Sequence, residues 1–446
     1  MWWNDLHQGS YFQGREPSNQ TTMKPAIACL LAIVTLPSFA DQPADQGQYE
    51  IKKPWVPEPE LLAGKHPPET NFDESKIQPF TLPPLLAFTD GQSVSTPGDF
   101  AKRRDELIKV FQSEMFGVSP PRPEGLAFEV IETNPRAMDG AATMKRVAVR
   151  FPLGGETFTF HLTLFVPNAV SKPVPAFLMI NHRGVENTDP TRESKSGFWP
   201  AEDVIARGYA IAAINVTAEV DPDNHEATET SGVRAFHRRH HPQAGDFTWG
   251  TLAAWGWAGS RGLDYLVTDR DIDSKRVALI GHSRSGKAAL WAAACDERFA
   301  LVCVNQAGEG GPALARRNYG ETLGVVTSRF RHWFTPRYAS YADRVDELPV
   351  DSHQLIALIA PRAYHGGDAA MDLWADPRGS WLALVEASKA WELHGKAAAL
   401  DDKMPLLNDL LVQGPLAYHI RAGDHDLNPF DWRLYLDHAD QIWPRE

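Results

Sequence analysis

The stretch Val277-Ala278-Leu279-Ile280-Gly281-His282-Ser283-Arg284-Ser285-Gly286-Lys287 sets two serines, two cations and two glycines between an apolar run and an alanine-rich continuation. Such a strand, tight turn and helix admits three readings. In the first, Ser283 is a nucleophile on a strained turn, small neighbours prevent clashes, and the backbone N–H of Arg284 helps to bind an oxyanion. The usual spacing puts a second glycine two residues after the serine, whereas Ser285 stands there and Gly286 follows. In the second, Gly281-x-x-x-x-Gly286-Lys287 is a phosphate loop; it lacks the hydroxyl that should ligate Mg²⁺, because Ala288 occupies that place. The third is a turn with no chemistry.

The rest of the chain separates these readings. A serine hydrolase of this type needs an acid and then a histidine downstream of the serine, each after a later strand. The apolar run 416–420 ends in Arg421-Ala422-Gly423-Asp424-His425-Asp426, which puts His425 on a loop beyond a strand end. Upstream, the apolar 355–360 and 363–364 segments lead into a loop that offers Asp368, Asp372 and Asp376. Serine, acid loop and histidine in that order favour hydrolysis over nucleotide binding.

The elements that must position these residues follow from the hydrophobic pattern. Segments 145–151 and 157–166 alternate and predict an antiparallel pair. Segments 176–180, 209–215, 276–280 and 301–305 are continuous apolar runs, which predict strands buried on both faces. Helical patterns at 248–267, 285–295 and 380–393 alternate with them, so the fold class is α/β, a mostly parallel central sheet covered by helices on both faces. Residues 41–123 are proline-rich and poorly periodic apart from one helix around 100–116, and read as an extended N-terminal arm ahead of a catalytic domain over 124–446.

With these residues in place, the chain resembles carbohydrate esterase family fifteen, the glucuronoyl esterases, in particular its bacterial members. The family's elbow is similar to Gly281-x-Ser283-Arg284-x-Gly286-Lys287, which accounts for the displaced glycine. Further landmarks are Trp255-Gly256-Trp257 through Leu266, Gly308-x-Gly310-Gly311, Asn318 to Thr322, His332-Trp333-Phe334, Asp372-x-Trp374-Ala375-Asp376-Pro377 and Gly423-x-His425-Asp426. The resemblance spans about residues 175–432. It implies an α/β-hydrolase fold and a metal-free, cofactor-free esterase that cleaves esters between 4-O-methyl-glucuronic acid on glucuronoxylan and lignin alcohols. It also implies Ser283 as nucleophile, His425 as base, Asp372 as the acid that orients it, and Arg284 as oxyanion donor through its N–H and guanidinium. Lys287, Glu321 and Trp374 resemble the sugar-binding set.

One position departs from the family. Many members carry the acid just after the strand that follows the elbow helix, where this chain has Gln306; Glu309, three residues on, reads as structural. The missing acid keeps a silent carbohydrate-binding relative as an alternative, and an acetyl-xylan or other carbohydrate esterase stays as another because an elbow and a histidine do not choose the acyl group. The insert 220–247 carries His237, His240 and His241 without an acid or cysteine to complete a ligand set, so it reads as a substrate-facing loop rather than a metal site.

Composition bounds the partners. A formal net charge of −13 argues against nucleic acid. Met23-Lys24, the apolar run 26–36 and Ser38-Phe39-Ala40 form a signal-peptide pattern with a true start at Met23 and a mature protein from near Asp41, within a leader over 1–40. That run is roughly half the length a membrane span needs. The expected protein is secreted or periplasmic, monomeric and not membrane-bound, and its partner is the polysaccharide. Cys295 and Cys303 read as two buried thiols rather than a disulfide.

Overall fold

The continuous apolar runs occupy the middle of the sheet in the computed structural model, which describes residues 46–62, 66–171, 173–240, 248–397 and 399–444. The leader and its signal-peptide pattern lie outside the described residues. Ten strands follow in chain order: β1 (Ala127–Ala137), β2 (Ala142–Leu153), β3 (Glu156–Pro167), β4 (Val174–Asn181), β5 (Ala210–Asn215), β6 (Ile272–His282), β7 (Leu301–Asn305), β8 (Ala363–Ala369), β9 (Leu410–Gln413) and β10 (Leu416–Arg421). Their spatial order is β1-β2-β3-β5-β4-β6-β7-β8-β10-β9. From β5 to β10 all neighbours are parallel, and antiparallel strands finish both edges.

Parallel neighbours put their C-terminal ends on one edge, where ligands bind in open α/β sheets. The helices Thr251–Leu266 and Arg284–Cys295 cover one face, and Pro429–Ile442 lies on the other through Trp432, Tyr435 and Leu436. Close packing explains particular glycines: a Cβ at Gly256 would stand 2.8 Å from the Ala288 carbonyl oxygen, so that glycine lets the 251–266 helix lie against the helix of the elbow.

Some elements differ from expectation. The 355–360 segment is not a strand, because Asp351 and Gln354 form a capping box that starts the helix Ser352–Ala357. The strand is β8, whose glycines hide it from an apolar pattern; a Cβ at Gly367 would stand 2.4 Å from the Tyr435 hydroxyl. β1 gives no clear period because nearly all of it is exposed on the sheet edge. The helix expected around 100–116 begins at Pro97, where Thr96 and Asp99 cap it, and after Phe111 it widens into a π turn over Gln112–Phe116. Phe100, Leu107, Phe111 and Phe116 reach the same core as the sheet. Cys295 and Cys303 are both free, but only Cys303 is buried; Cys295 ends its helix exposed, against the expectation of two buried thiols.

Candidate active site

β6 ends at His282, and the chain turns at once into the helix Arg284–Cys295. Ser283 sits between them at φ 55°, ψ −129°, a left-handed conformation that a serine adopts only when its surroundings enforce it. The enforcing contacts are on both sides. A Cβ at Gly281 would fall 2.1 Å from the Ser285 carbonyl oxygen, and one at Gly286 would meet Ala307 Cβ at 2.9 Å. Ser285, where a glycine is usual, is fully buried; its hydroxyl donates to the His282 carbonyl at 2.8 Å and accepts the His282 N–H at 3.1 Å. The serine thus closes the turn instead of leaving room in it.

The loop after β10 brings His425 to this turn. Its ring lies 4.5 Å, centroid to centroid, from that of His282, the residue before Ser283. Its Nδ1 is 2.6 Å from Asp372 Oδ2 in the loop after β8. Arg183, after β4, binds the two segments together, with Nη1 2.8 Å from Asp426 Oδ1 and Nη2 3.3 Å from His282 Nε2. Because a guanidinium only donates, His282 Nε2 accepts, and the His282 proton sits on Nδ1 facing Asn305 Oδ1 at 2.7 Å. Burial first, then the nearby His425 and Arg183, hold the His282 pKa well below the usual imidazole value, so it stays neutral.

Of the three aspartates expected on one loop, Asp368 lies within β8 itself and only Asp372 and Asp376 follow it, and the three do different work. Asp368 is buried, accepts the Tyr418 hydroxyl at 2.8 Å, and is pushed up to about 8 by burial and by the neighbouring Asp372 and Asp376. It is a neutral acid at neutral pH. Asp376 caps the helix Pro377–Leu393 by accepting the Gly379 N–H at 2.9 Å and pairs with Arg317 Nε at 2.8 Å. Asp372 alone of the three meets the imidazole.

Arg284 is held from the insert. Its Nη1 donates to Asp223 Oδ2, and its guanidinium carbon lies 5.0 Å and 5.3 Å from the ring centres of Trp333 and Phe330. Asp223 Oδ1 also faces His332 Nε2 at 2.9 Å and accepts the Trp333 indole N–H at 2.7 Å. Burial raises the Asp223 pKa, but these contacts and the Arg284 charge overcome it and hold the carboxyl well below its usual range. In many α/β hydrolases a second oxyanion N–H comes from the loop after the third strand of the fold. At the corresponding loop here the Arg183 N–H is already bonded to Asn181 Oδ1 at 3.0 Å.

Lys287 is 2% exposed, not a surface lysine. Its Nζ is 2.8 Å from Glu321 Oε2 and donates to the Glu309 carbonyl oxygen. The Glu321 N–H in turn donates to the Trp374 carbonyl at 2.8 Å, so Lys287, Glu321 and Trp374 form one connected patch. Trp374 is half-buried; its ring stacks on His66 of the arm at 4.7 Å, with the Arg329 guanidinium carbon 5.5 Å from its centre. Glu309 is buried, accepts the Tyr338 hydroxyl, and is pushed up to about 8 by burial and by the nearby carboxylates of Asp351 and Glu321.

The insert is only partly a loop. Gly232–His240 is helical and His237 is buried among Phe151, Trp249 and Trp257. His241 lies outside the described residues, and among those described no group of three His, Cys, Asp or Glu side chains is arranged to hold a metal ion. The residue of the insert that faces the elbow is Asp223, which the histidine pattern does not mark.

Residues 149–395 match the family model described as glucuronyl esterase, fungi. A carbohydrate esterase from an unknown prokaryotic organism, MZ0003, is 36% identical over 417 residues, 86% of this chain and 94% of that protein. The chain belongs to carbohydrate esterase family 15. Among solved structures of this family, a glucuronoyl esterase from Solibacter usitatus superposes with a TM-score of 0.76 at 38% identity, over 83% of this chain and all of that one. A promiscuous family-15 esterase from a marine bacterial metagenome gives 0.73 at 35% identity, over 84% of this chain and all of that one. The sheet and helices described above are accordingly an α/β-hydrolase fold, and the chain is a carboxylic ester hydrolase. Lys287 is held by the partly buried Glu321 carboxylate and a carbonyl, which leaves it no freedom to serve a phosphate loop. Sequence reasoning missed Arg183 and Asp223; the signal for both was their place just after parallel strands, on the ligand-binding edge.

Proposed function

We propose that the chain is an exported serine esterase that hydrolyses 4-O-methyl-glucuronoyl esters joining glucuronoxylan to lignin alcohols. Ser283 attacks the uronate ester carbonyl while His425 Nε2 takes its proton, and the tetrahedral oxyanion is met by the Arg284 N–H and guanidinium. His425 returns the proton to the leaving alcohol, and water repeats the sequence on the acyl-enzyme. Asp372 fixes the tautomer that puts the Nδ1 proton on its own side and stabilises the imidazolium. Lys287, Glu321 and Trp374 grip the uronate ring.

The observation that carries this reading is the 2.6 Å contact between His425 Nδ1 and Asp372 beside a serine held at φ 55°. It also weighs against a silent carbohydrate-binding relative, which needs no such pairing. Export rests on the 23–40 sequence pattern.

The test is turnover of benzyl glucuronate beside a simple acetyl ester. Ring contacts remote from the ester supply transition-state binding that an acetyl group does not reach, so the glucuronate ester is the better substrate and Ser283→Ala removes both activities. Equal or better acetyl turnover refutes the acyl specificity and leaves the serine mechanism standing.

A further inference from the structure

Ser283 follows β6 and His425 follows β10, with β7 and β8 between them. At about 4.8 Å per strand that is a gap of about 14 Å, more than an imidazole side chain spans. The loop after β10 must therefore run back across the ends of β8 and β7. Gln306 is the residue under that crossing.

We propose that Gln306 is a positioning residue for His425, acting through the backbone of Asp426; the inference rests on His425 being the general base. Gln306 is 1% exposed and sits at φ 46°, with its own N–H donating to the Gly367 carbonyl of β8 at 2.7 Å. Its side-chain Nε2 donates to the Asp426 carbonyl at 2.6 Å and its Oε1 accepts the Asp426 N–H at 3.0 Å. Those are the two bonds that a neighbouring antiparallel strand would make to one residue. Among side chains in their usual state at neutral pH, a primary amide is the one that sets a donor and an acceptor side by side in this way. An ionised carboxylate would keep the acceptor, lose the donor and face a carbonyl oxygen.

Other groups hold the same loop, but from elsewhere. Arg421 donates to the Asp424 carbonyl at 3.1 Å and the Asp426 carbonyl at 2.6 Å, but it ties the loop to its own strand β10 and, through Asp431, to the helix Pro429–Ile442 rather than to β7. Arg183 ties the Asp426 carboxylate to the end of β4 through a partly exposed ion pair. Gln306 is the buried tie to β7, the strand next to the one that carries the nucleophile. It fixes the residue adjoining His425, and with it the direction of the ring between Asp372 and Ser283. A carboxylate at this position is the acid in many family members; here the position serves the backbone, and the acid comes from the β8 loop.

The full-length enzyme is assayed with benzyl glucuronate as Gln306→Met and Gln306→Glu. Both lower kcat roughly tenfold to a hundredfold, the scale of a misplaced catalytic group, and leave KM within about twofold. In Gln306→Glu the deficit shrinks as pH falls, because a protonated carboxyl regains a donor beside its acceptor, whereas in Gln306→Met it does not. Asp372→Ala combined with Gln306→Glu is as inactive as Asp372→Ala. Folded variants with normal kcat, or rescue in the double variant, overturn the proposal; if Gln306→Met fails to fold, the pH dependence of Gln306→Glu decides. Ser283→Ala and His425→Ala run alongside: loss of turnover in both with normal Gln306 variants refutes only this inference, and retained turnover refutes the triad.

Discussion

Replacing Asp372 by Asn tests the acid without changing its size. The carboxylate stands 2.6 Å from His425 Nδ1 with the aspartate side chain 4% exposed, so the imidazolium that the proposed mechanism forms when Ser283 gives up its proton has a close, poorly screened counter-charge. At an effective dielectric constant of about 20, unit charges at this separation attract by about 6 kcal/mol. At about 1.4 kcal/mol per decade of rate, that corresponds to roughly ten-thousandfold. The same size of loss accompanies the equivalent change in a serine protease, where the amide also selects the wrong imidazole tautomer. Steady-state hydrolysis of benzyl glucuronate by Asp372→Asn should therefore fall about four decades in kcat, with the melting temperature little changed. Asp368→Asn should retain most activity, because that carboxyl is pushed up to about 8 and is neutral at the assay pH. Near-normal turnover in Asp372→Asn with collapse in Asp368→Asn would refute the choice of acid.

Lys287→Met leaves the partly buried Glu321 without its cation, which lowers stability by up to about 3 kcal/mol and raises KM for glucuronate esters; urea denaturation and kinetics together check it, and unchanged values in both refute the pairing. Asp368 carries a folded-state pKa of about 8 against 3.8, so its share of stability is full below its unfolded pKa and is lost as pH rises through about 8. Thermal unfolding between pH 6 and 9 should show stability falling, less steeply in Asp368→Asn; equal slopes refute this. A chain that starts at Asp41 should melt at the temperature of the full chain, since the compact unit runs from Asp45 to Glu446, and loss of soluble protein would contradict it.

The parallel core was legible because its strands are apolar on both faces, and the order of Ser283, an acid loop and His425 was legible because topology fixes it. β8 was obscured because its centre is Gly366-Gly367, chosen for clearance from Tyr418, Tyr435 and His419 rather than for strand preference. At Asp372 the residues alone left three aspartates open and the family pattern chose one. All three are buried, and what separates them is their partners, the Tyr418 hydroxyl at Asp368 and a helix cap with an arginine at Asp376, none of which can be read from spacing. Lys287 was harder still: on a helix just after a turn, a solvated lysine is the ordinary expectation, and only the fold reveals Glu321 thirty-four residues away. The role of Gln306 was illegible for a related reason, since its partner is a backbone that is brought close only when the β10 loop crosses two strands.

The charge of the site follows the same logic of pairing. A chain with a net charge of −13 sets three cations around the elbow, and each has its own carboxylate: Arg183 with Asp426, Arg284 with Asp223 and Lys287 with Glu321. These cations therefore act as fixed dipoles rather than as a long-range field, and what they contribute depends on where their remaining donors point. Arg284 shows what is left over. With Nη1 on Asp223 and Trp333 and Phe330 beside the guanidinium, its Nε–H is buried without a hydrogen-bond partner among the described residues. An unpaired buried donor costs about 1–3 kcal/mol in the resting enzyme. If the developing oxyanion takes up that donor, as the proposed mechanism requires, the cost is relieved only as the reaction proceeds. Asp223 then holds the guanidinium still as well as balancing its charge.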